Sequence, residues 1–163
     1  MPNFWLDSSM FIEAKNGNLG FDIAPGFWKA MDRKASEGQL ASSLLVYHEL
    51  VDDSDDELSR WAKDRKESRL WVVPDKLVQT KYAIIAEYVA QTYRAEEVAK
   101  AFKGADLWII AHAMAYGGRV VTKESLVNPA NKRAKIPNIC NHFDIKPANT
   151  SDMLRSLKII LSG

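Results

Sequence analysis

One stretch in the second half of the chain, from Gly104 to Glu124, limits the possible folds more than any other. Its apolar residues repeat at helical spacing, at Leu107, Ile110, Ala111 and Met114. Gly117 and Gly118 then end the helix, since glycine tolerates left-handed backbone, and Val120 and Val121 begin a short buried strand. A helix that turns directly into a buried strand is typical of an α/β fold with parallel strands.

A carboxylate stands near each end of this stretch. Asp106 opens the helix, and we expect its side chain to cap the helix by accepting a first-turn N–H. Glu124 follows the strand. In a parallel sheet, helix starts and strand ends face the same edge, where open α/β folds bind their ligands. Asp106 and Glu124 are therefore expected to converge.

Two further carboxylates occupy similar positions earlier in the chain. Asp7 ends the apolar strand Phe4–Leu6 and is followed by Ser8 and Ser9. Such an Asp either carries chemistry at the sheet edge or caps the next helix. Glu49 lies in an apolar helix behind a short strand at 40–43. An unpaired buried carboxylate is costly, so Glu49 is expected to be exposed at an edge, paired, or bound to a cation.

The remaining predicted elements alternate in the same way. A helix begins near Pro25 and ends at Gly38, a capping box of Ser54 and Glu57 starts another, and a strand at 70–73 stops at Pro74. We expect long helical structure over 75–103, a fifth strand at 138–140, and a last helix capped by Ser151. The order predicts an α/β fold with a mainly parallel sheet.

Composition narrows the class of protein. A chain of 163 residues suits one domain spanning 1–163. A net charge of +1 excludes a strongly basic surface, so nucleic-acid binding would need a local patch. The single cysteine and the absence of a basic, then apolar, leader predict a cytoplasmic protein without membrane association.

The four carboxylates together predict a metal site. Asp7, Glu49, Asp106 and Glu124 would repel one another at one edge unless cations neutralised them. Oxygen donors of this kind suit Mg²⁺ or Mn²⁺, and the three histidines form no spaced ligand set that would favour zinc.

Positive charge follows the last of these carboxylates, at Lys123, Lys132, Arg133 and Lys135. These side chains either hold the phosphates of a nucleic acid against the carboxylates or belong to a solvated loop. The hydroxyl groups of Ser8, Ser9 and Thr122 are further candidates for substrate contact.

Taken in order, four segments resemble the PIN domains, which include the toxin nucleases of VapC-type toxin–antitoxin pairs. They are WLDSSMFIEA from Trp5, Glu49-Leu50, DLWIIAHA from Asp106, and VVTKE from Val120. The resemblance covers nearly the whole chain and implies a three-layer α/β/α sandwich around a parallel sheet of about five strands. The helical insert at 75–103 and the FIEA sequence look closer to a PIN-like subgroup without an assigned function.

The resemblance also implies an activity, namely metal-dependent cleavage of RNA. Asp7, Glu49 and Asp106 match the three principal carboxylates, which hold Mg²⁺ or Mn²⁺. Ser9 stands where a small polar residue assists the first Asp. Glu124 matches the fourth acidic position, where Asp is usual, so its side chain is longer by one methylene. A cognate antitoxin and a homodimer would be the partners of such a toxin.

Three alternatives remain open at the level of sequence. The chain could be a non-catalytic PIN-like module that binds RNA or protein, or a structure-specific DNA nuclease. A phosphatase of the haloacid dehalogenase type also starts with a strand that ends in Asp. That enzyme class needs a second Asp two residues after the first, where this chain has Ser9.

Overall fold

A computed structural model describes residues 1–161 of the chain. Within them the strands are β1 (Phe4–Leu6), β2 (Leu40–Ser43), β3 (Trp71–Val72), β4 (Arg119–Val121) and β5 (Pro147–Ala148). The helices are α1 (Ser8–Asn16), α2 (Pro25–Ser36), α3 (Leu44–Val51), α4 (Glu57–Asp64), α5 (Lys76–Thr92), α6 (Ala95–Lys103), α7 (Asp106–Tyr116), α8 (Ile136–His142) and α9 (Thr150–Ser156). A single 3-10 turn covers Pro129–Asn131.

The five strands form one parallel sheet in the order β3-β2-β1-β4-β5. Trp5 in the central strand β1 pairs with Ala41 on one side and Val120 on the other. The chain leaves β1 towards β2 and later returns to the opposite side of β1 as β4. Such a reversal opens a crevice at the carboxyl ends of the strands. The predicted α/β fold with a parallel sheet of about five strands is confirmed.

The central strands are apolar because helices cover the sheet. Phe4, Trp5 and Leu6 are each buried, which is usual for a parallel strand packed on both faces. Helix α7 packs against β1, β2 and β4, and α5 packs in turn on α7. The stretch from Gly104 to Glu124 therefore lies at the centre of the molecule.

The prediction of a fifth strand at 138–140 is wrong. These residues belong to α8, where Ile136, Ile139 and Cys140 are buried at helical spacing behind Pro137 in the first turn. The fifth strand is instead Pro147–Ala148, which pairs with β4. Two residues are too few to show a periodic pattern in the sequence.

Three predicted helix caps are also wrong. Ala105 occupies the cap position of α7, so Asp106 is the first helical residue. Asp56, whose side chain accepts the N–H of Ser59 at 2.8 Å, caps α4 in place of Ser54. Asn149 caps α9 in place of Ser151. The region predicted as long and helical divides between α5 and α6 at Tyr93 and Arg94.

Among residues 1–161, no helix is both long and apolar enough to cross a membrane. The assignment of 1–163 to one domain stays a prediction.

Candidate active site

Asp7 lies directly after β1 at the carboxyl edge of the sheet. Its backbone N–H donates to the Val121 carbonyl at 2.9 Å, and the residue is only 1% exposed. The oxygen Oδ2 accepts hydrogen bonds from Ser9 Oγ at 2.6 Å and Thr122 Oγ1 at 3.1 Å. The buried Oδ1 has no hydrogen-bond partner within residues 1–161. One oxygen of Asp7 is therefore held while the other keeps its acceptor capacity.

The hydroxyl groups of Ser9 and Thr122 connect the ends of β1 and β4. They lie 3.1 Å apart. Ser9 Oγ also accepts the N–H of Lys123 at 3.2 Å, and Thr122 Oγ1 accepts the N–H of Glu124 at 3.1 Å. The hydroxyl groups of Ser9 and Thr122 hold Asp7, as the resemblance implies for Ser9. Their role as substrate contacts stays a prediction.

Glu124 is fixed by the helix that follows it. Its Oε2 accepts the backbone N–H of Ile136, the first residue of α8, at 2.9 Å. A carboxylate at this position satisfies one of the free N–H groups that begin a helix. Residues 138–140, predicted to form a strand, thus belong to a helix whose first N–H group holds Glu124.

Glu49 reaches the same edge from α3. Its side chain is exposed, yet Oε1 accepts the N–H of Ala105 at 3.1 Å. Gly104 leaves space for this carboxylate, since a Cβ there would lie 2.8 Å from Oε2. Partial burial raises the pKa of the Glu49 carboxyl, the Ala105 hydrogen bond lowers it, and the negative charge of Asp7 raises it further. Exposure at an edge, one of the three outcomes expected for Glu49, is observed, and binding of a cation stays a prediction.

Asp106 is affected by burial and by three neighbouring carboxylates. Burial and then the charges of Asp7, Glu124 and Glu49 raise the pKa of Asp106 to about 7, against an opposing effect of Lys135. Burial likewise raises the pKa of Asp7, with a further rise from Glu124 and opposing hydrogen bonds from Ser9 and Thr122. The structure therefore brings Asp7, Glu49 and Glu124 within electrostatic range of Asp106.

The carboxylates do not form a complete set of metal ligands in the described residues. Among residues 1–161, no group of three or more His, Cys, Asp or Glu side chains is arranged to hold a metal ion. The four carboxylates share an edge without forming a ready-made cage.

A cleft of 210 Å³ opens beside Asp106 and Glu124, and we call it the basic cleft. Its cations are Lys100, Arg133 and Lys135, and Glu97, which also lines it, pairs with Lys100 at 3.5 Å. Lys100, in the last turn of α6, is absent from the residues that the sequence analysis selects. A basic residue four positions before the Gly104 turn is the signal that could have identified it.

The other predicted substrate contacts lie elsewhere. Lys123 lines a separate cleft of 470 Å³, together with Glu124. Lys132 is exposed in a left-handed turn with φ of 55°. Ser8 is half-buried, and its hydroxyl group is close enough to Glu49 to lower the pKa of that carboxyl.

Comparison with solved structures shows the kind of fold. The chain is similar to a chain of the crystal structure of VapBC2 from Rickettsia felis bound to a DNA fragment from their promoter. The TM-score is 0.51 and the sequence identity 15%, over 90% of this chain and 97% of that chain. The fold is therefore PIN-like, of the VapC type, as the sequence resemblance predicts.

Comparison of sequences identifies the family but no curated relative. No curated protein matches the chain. Residues 4–161 match a family described as a domain of unknown function, DUF4411. Since this match covers almost the entire chain, the protein belongs to the DUF4411 family.

Proposed function

We propose that the protein is a Mg²⁺- or Mn²⁺-dependent endoribonuclease and the toxin of a toxin–antitoxin pair. The observation that carries the proposal is the convergence of Asp7, Glu49, Asp106 and Glu124 at one edge of a PIN-like sheet. They come from four separate parts of the chain, and their mutual repulsion lowers the stability of the metal-free protein. A bound cation would offset that repulsion.

The donor set fits a small, hard cation. Asp7 Oδ1 is buried without a hydrogen-bond partner in the described chain, so it has acceptor capacity for an ion. Mg²⁺ is usually held by one or two carboxylates and keeps several waters. Asp7 and Asp106 would therefore be the direct ligands, while Glu49 and Glu124 would act through the water shell. This arrangement does not require three carboxylates to meet at one point.

Each side chain then has a definite part in phosphodiester hydrolysis. When bound, the ion supplies a water of lowered pKa and positive charge for the reacting phosphate. Ser9 and Thr122 fix the orientation of Asp7 through their hydroxyl groups. Lys135, Arg133 and Lys100 hold phosphate groups in the basic cleft beside Asp106. No side chain has to act as a nucleophile.

The role as a toxin rests on the VapC-type fold. The structure it resembles is of a VapBC2 assembly, and a VapC-type toxin would have a cognate antitoxin. In this chain the antitoxin would cover the carboxylates, with a Lys or Arg side chain among them to neutralise their charge. A homodimer is part of the same proposal.

A cleavage assay tests this function. A single-stranded RNA is incubated with the protein in Mn²⁺, in Mg²⁺ or in EDTA, and with the Asp106→Asn variant. We expect internal cleavage by the wild type with either ion and loss of at least about 100-fold in Asp106→Asn, because a direct ligand is removed. Asp64→Asn changes an exposed Asp at the end of α4 in the same way and should cleave like the wild type.

Two results would change the assignment. Cleavage by Asp106→Asn at the wild-type rate would remove Asp106 from the reaction. RNA binding without cleavage in either ion would favour a non-catalytic PIN-like module, the second candidate, which the lack of a three-donor group among residues 1–161 supports. A DNA strand of the same sequence, assayed in parallel, separates a ribonuclease from a DNA nuclease.

A further inference from the structure

A further cleft, of 350 Å³, is lined by Glu49, one of the four carboxylates of the candidate site. We call it the aromatic cleft. It is lined by Leu45, Glu49, Phe102, Lys103, Gly104 and Trp108, among others. The basic cleft and the aromatic cleft thus border different members of the same acidic group, Asp106 and Glu124 in one case and Glu49 in the other.

The two aromatic rings of this cleft differ in their surroundings. Trp108 is half-buried and stacks on Tyr82, with ring centroids 3.9 Å apart and an interplanar angle of 20°. Phe102 is 42% exposed. Tyr82 supports Trp108 from within the protein, whereas much of the Phe102 ring is open to a ligand. An exposed aromatic ring beside a charged site has no role in the core.

The last turn of α6 joins the two clefts. Lys100 and Ala101 line the basic cleft, while the next residues, Phe102 and Lys103, line the aromatic cleft. The short turn that follows carries Ala105, whose N–H holds Glu49, and then Asp106. A chain lying across this turn would meet cations on one side and an aromatic ring on the other.

The charges of the aromatic cleft disfavour phosphate. Asp52 and Asp53 line it besides Glu49, against one lysine, Lys103. A neutral nucleobase avoids this repulsion, and the amino groups of bases can donate hydrogen bonds to the carboxylates. Only an unpaired base can enter, because bases in a duplex are stacked and paired.

We propose that the aromatic cleft is a base-binding subsite, in which one unpaired base of a single-stranded nucleic acid stacks on Phe102. The phosphate groups beside this base lie in the basic cleft. The subsite rests on the proposed nuclease function and adds to it a position for one unpaired base. Lys103, beside Phe102, contributes charge at the outer edge of the cleft.

Binding measured without cleavage tests the subsite. Fluorescence anisotropy with a labelled ten-nucleotide RNA, in EDTA and in Ca²⁺, compares the wild type with Phe102→Ala. Loss of one stacked base weakens binding by roughly 5- to 100-fold. Phe102→Trp should restore the affinity, because it retains an aromatic face. Ile84→Ala removes an apolar side chain of equal exposure, 42%, from α5 and should have no effect.

Three results would overturn the inference. They are wild-type affinity in Phe102→Ala, an equal loss of affinity for duplex RNA, and full rescue of binding by Phe102→Leu, which fills the space without a π face. Failure of the nuclease function gives a different pattern. Wild-type protein would then bind the single strand through Phe102 but leave it uncleaved in Mn²⁺ and Mg²⁺.

Discussion

One hydroxyl group, that of Thr122, contacts both the Asp7 carboxylate and the backbone of Glu124. Its Oγ1 donates to Asp7 Oδ2 and accepts the N–H of Glu124, each at 3.1 Å. The side chain is 2% exposed, so water cannot replace these contacts if the hydroxyl group is lost. Thr122 is therefore a positioning residue for Asp7 and for the turn that carries Glu124.

Thr122→Val tests this role because it removes the hydroxyl group and keeps the shape. We expect cleavage to fall roughly 10- to 100-fold, the usual cost of losing a group that orients a metal ligand. Affinity for single-stranded RNA in EDTA should stay unchanged, which separates positioning from substrate contact. Thr80→Val, an exposed threonine on α5, provides the control. Unchanged cleavage by Thr122→Val would contradict the role.

Asp106 should destabilise the metal-free protein at alkaline pH. Its pKa in the folded protein is about 7, against an ordinary value of 3.8, so the folded state binds a proton that the unfolded state has already released. The stability of the metal-free protein therefore decreases as pH rises from about 4 to 7, and the full cost remains above pH 7.

Asp106→Asn removes that cost. In EDTA at pH 8 we expect the variant to melt above the wild type, by about 2–4 °C for each kcal/mol of repulsion relieved. The difference should shrink towards pH 4, where Asp106 is protonated in both folded and unfolded states. A lower melting temperature for Asp106→Asn at pH 8 would contradict the repulsion between the carboxylates.

The positions of the four carboxylates could be predicted from sequence, but their contacts could not. Asp7, Asp106 and Glu124 stand at a strand end, a helix start and a strand end, and a parallel sheet brings such positions to one edge. Glu49 could be recognised as an acid in an apolar helix. The hydrogen bond from Ile136 to Glu124 depends on α8, which includes the residues 138–140 predicted to form a strand.

At the scale of elements, the turn between α6 and α7 controls the position of Glu49. Gly104 has φ of −116° and ψ of −154°, so its backbone accepts an ordinary residue. The restriction is spatial, because a Cβ would lie 2.8 Å from Glu49 Oε2. The carboxylate is the end of a flexible side chain, and it would move at little cost in stability.

Gly104→Ala should therefore reduce activity more than stability. We expect cleavage to decrease roughly 10-fold, as for other displaced supporting groups, with a melting temperature close to that of the wild type. Gly26→Ala is the matched control, since no atom lies within 4 Å of a Cβ placed there. A wild-type cleavage rate in Gly104→Ala would mean that the position of Glu49 is unimportant to the reaction.

His112 attaches α7 to the sheet and to α3. Its Nε2 lies 3.0 Å from Ser43 Oγ, and its ring stacks on Trp5 at 4.8 Å. Burial lowers the pKa of His112 to about 4 from an ordinary 6.5, while the charge of Asp75 opposes this effect. Between pH 6.5 and 4 the unfolded chain binds the extra proton, so this histidine reduces stability as the pH falls through that window.

The titration of His112 can be observed directly. In NMR spectra recorded from pH 7.5 to 4.5, we expect the His112 ring to stay neutral to below pH 5. A His112 midpoint near pH 6.5 would contradict the buried, neutral ring.

The order of the elements was easier to predict than their ends. Strand β1 and the two valines of β4 are apolar and are bounded by polar or turn residues, so their sequence is distinctive. The residues that cap helices are harder to recognise, because Ser54 and Asp56 both offer oxygen acceptors at the same helix start. The two-residue strand β5 is defined by its pairing with β4 and by nothing local.

At the scale of the whole molecule, opposite charges lie side by side at one edge of the sheet. The net charge is only +1, yet the carboxylates and the cations of the basic cleft meet at Asp106 and Glu124. A cation between the carboxylates and a phosphate beside them would satisfy both sets. In the proposed function, the metal ion and the substrate backbone would thus occupy separate, neighbouring positions.

Thermal unfolding with added ions tests this account most directly. The midpoint is measured for the wild type and for Asp106→Asn at pH 8, in EDTA and with increasing Mn²⁺, Mg²⁺ or Ca²⁺. An ion that binds only the folded state raises the midpoint with its concentration. If the carboxylates bind a metal ion, Mn²⁺ and Mg²⁺ should raise the midpoint of the wild type and have little or no effect on that of Asp106→Asn. An equal response of both proteins, or no response of either at millimolar ion, would contradict a metal site at these carboxylates.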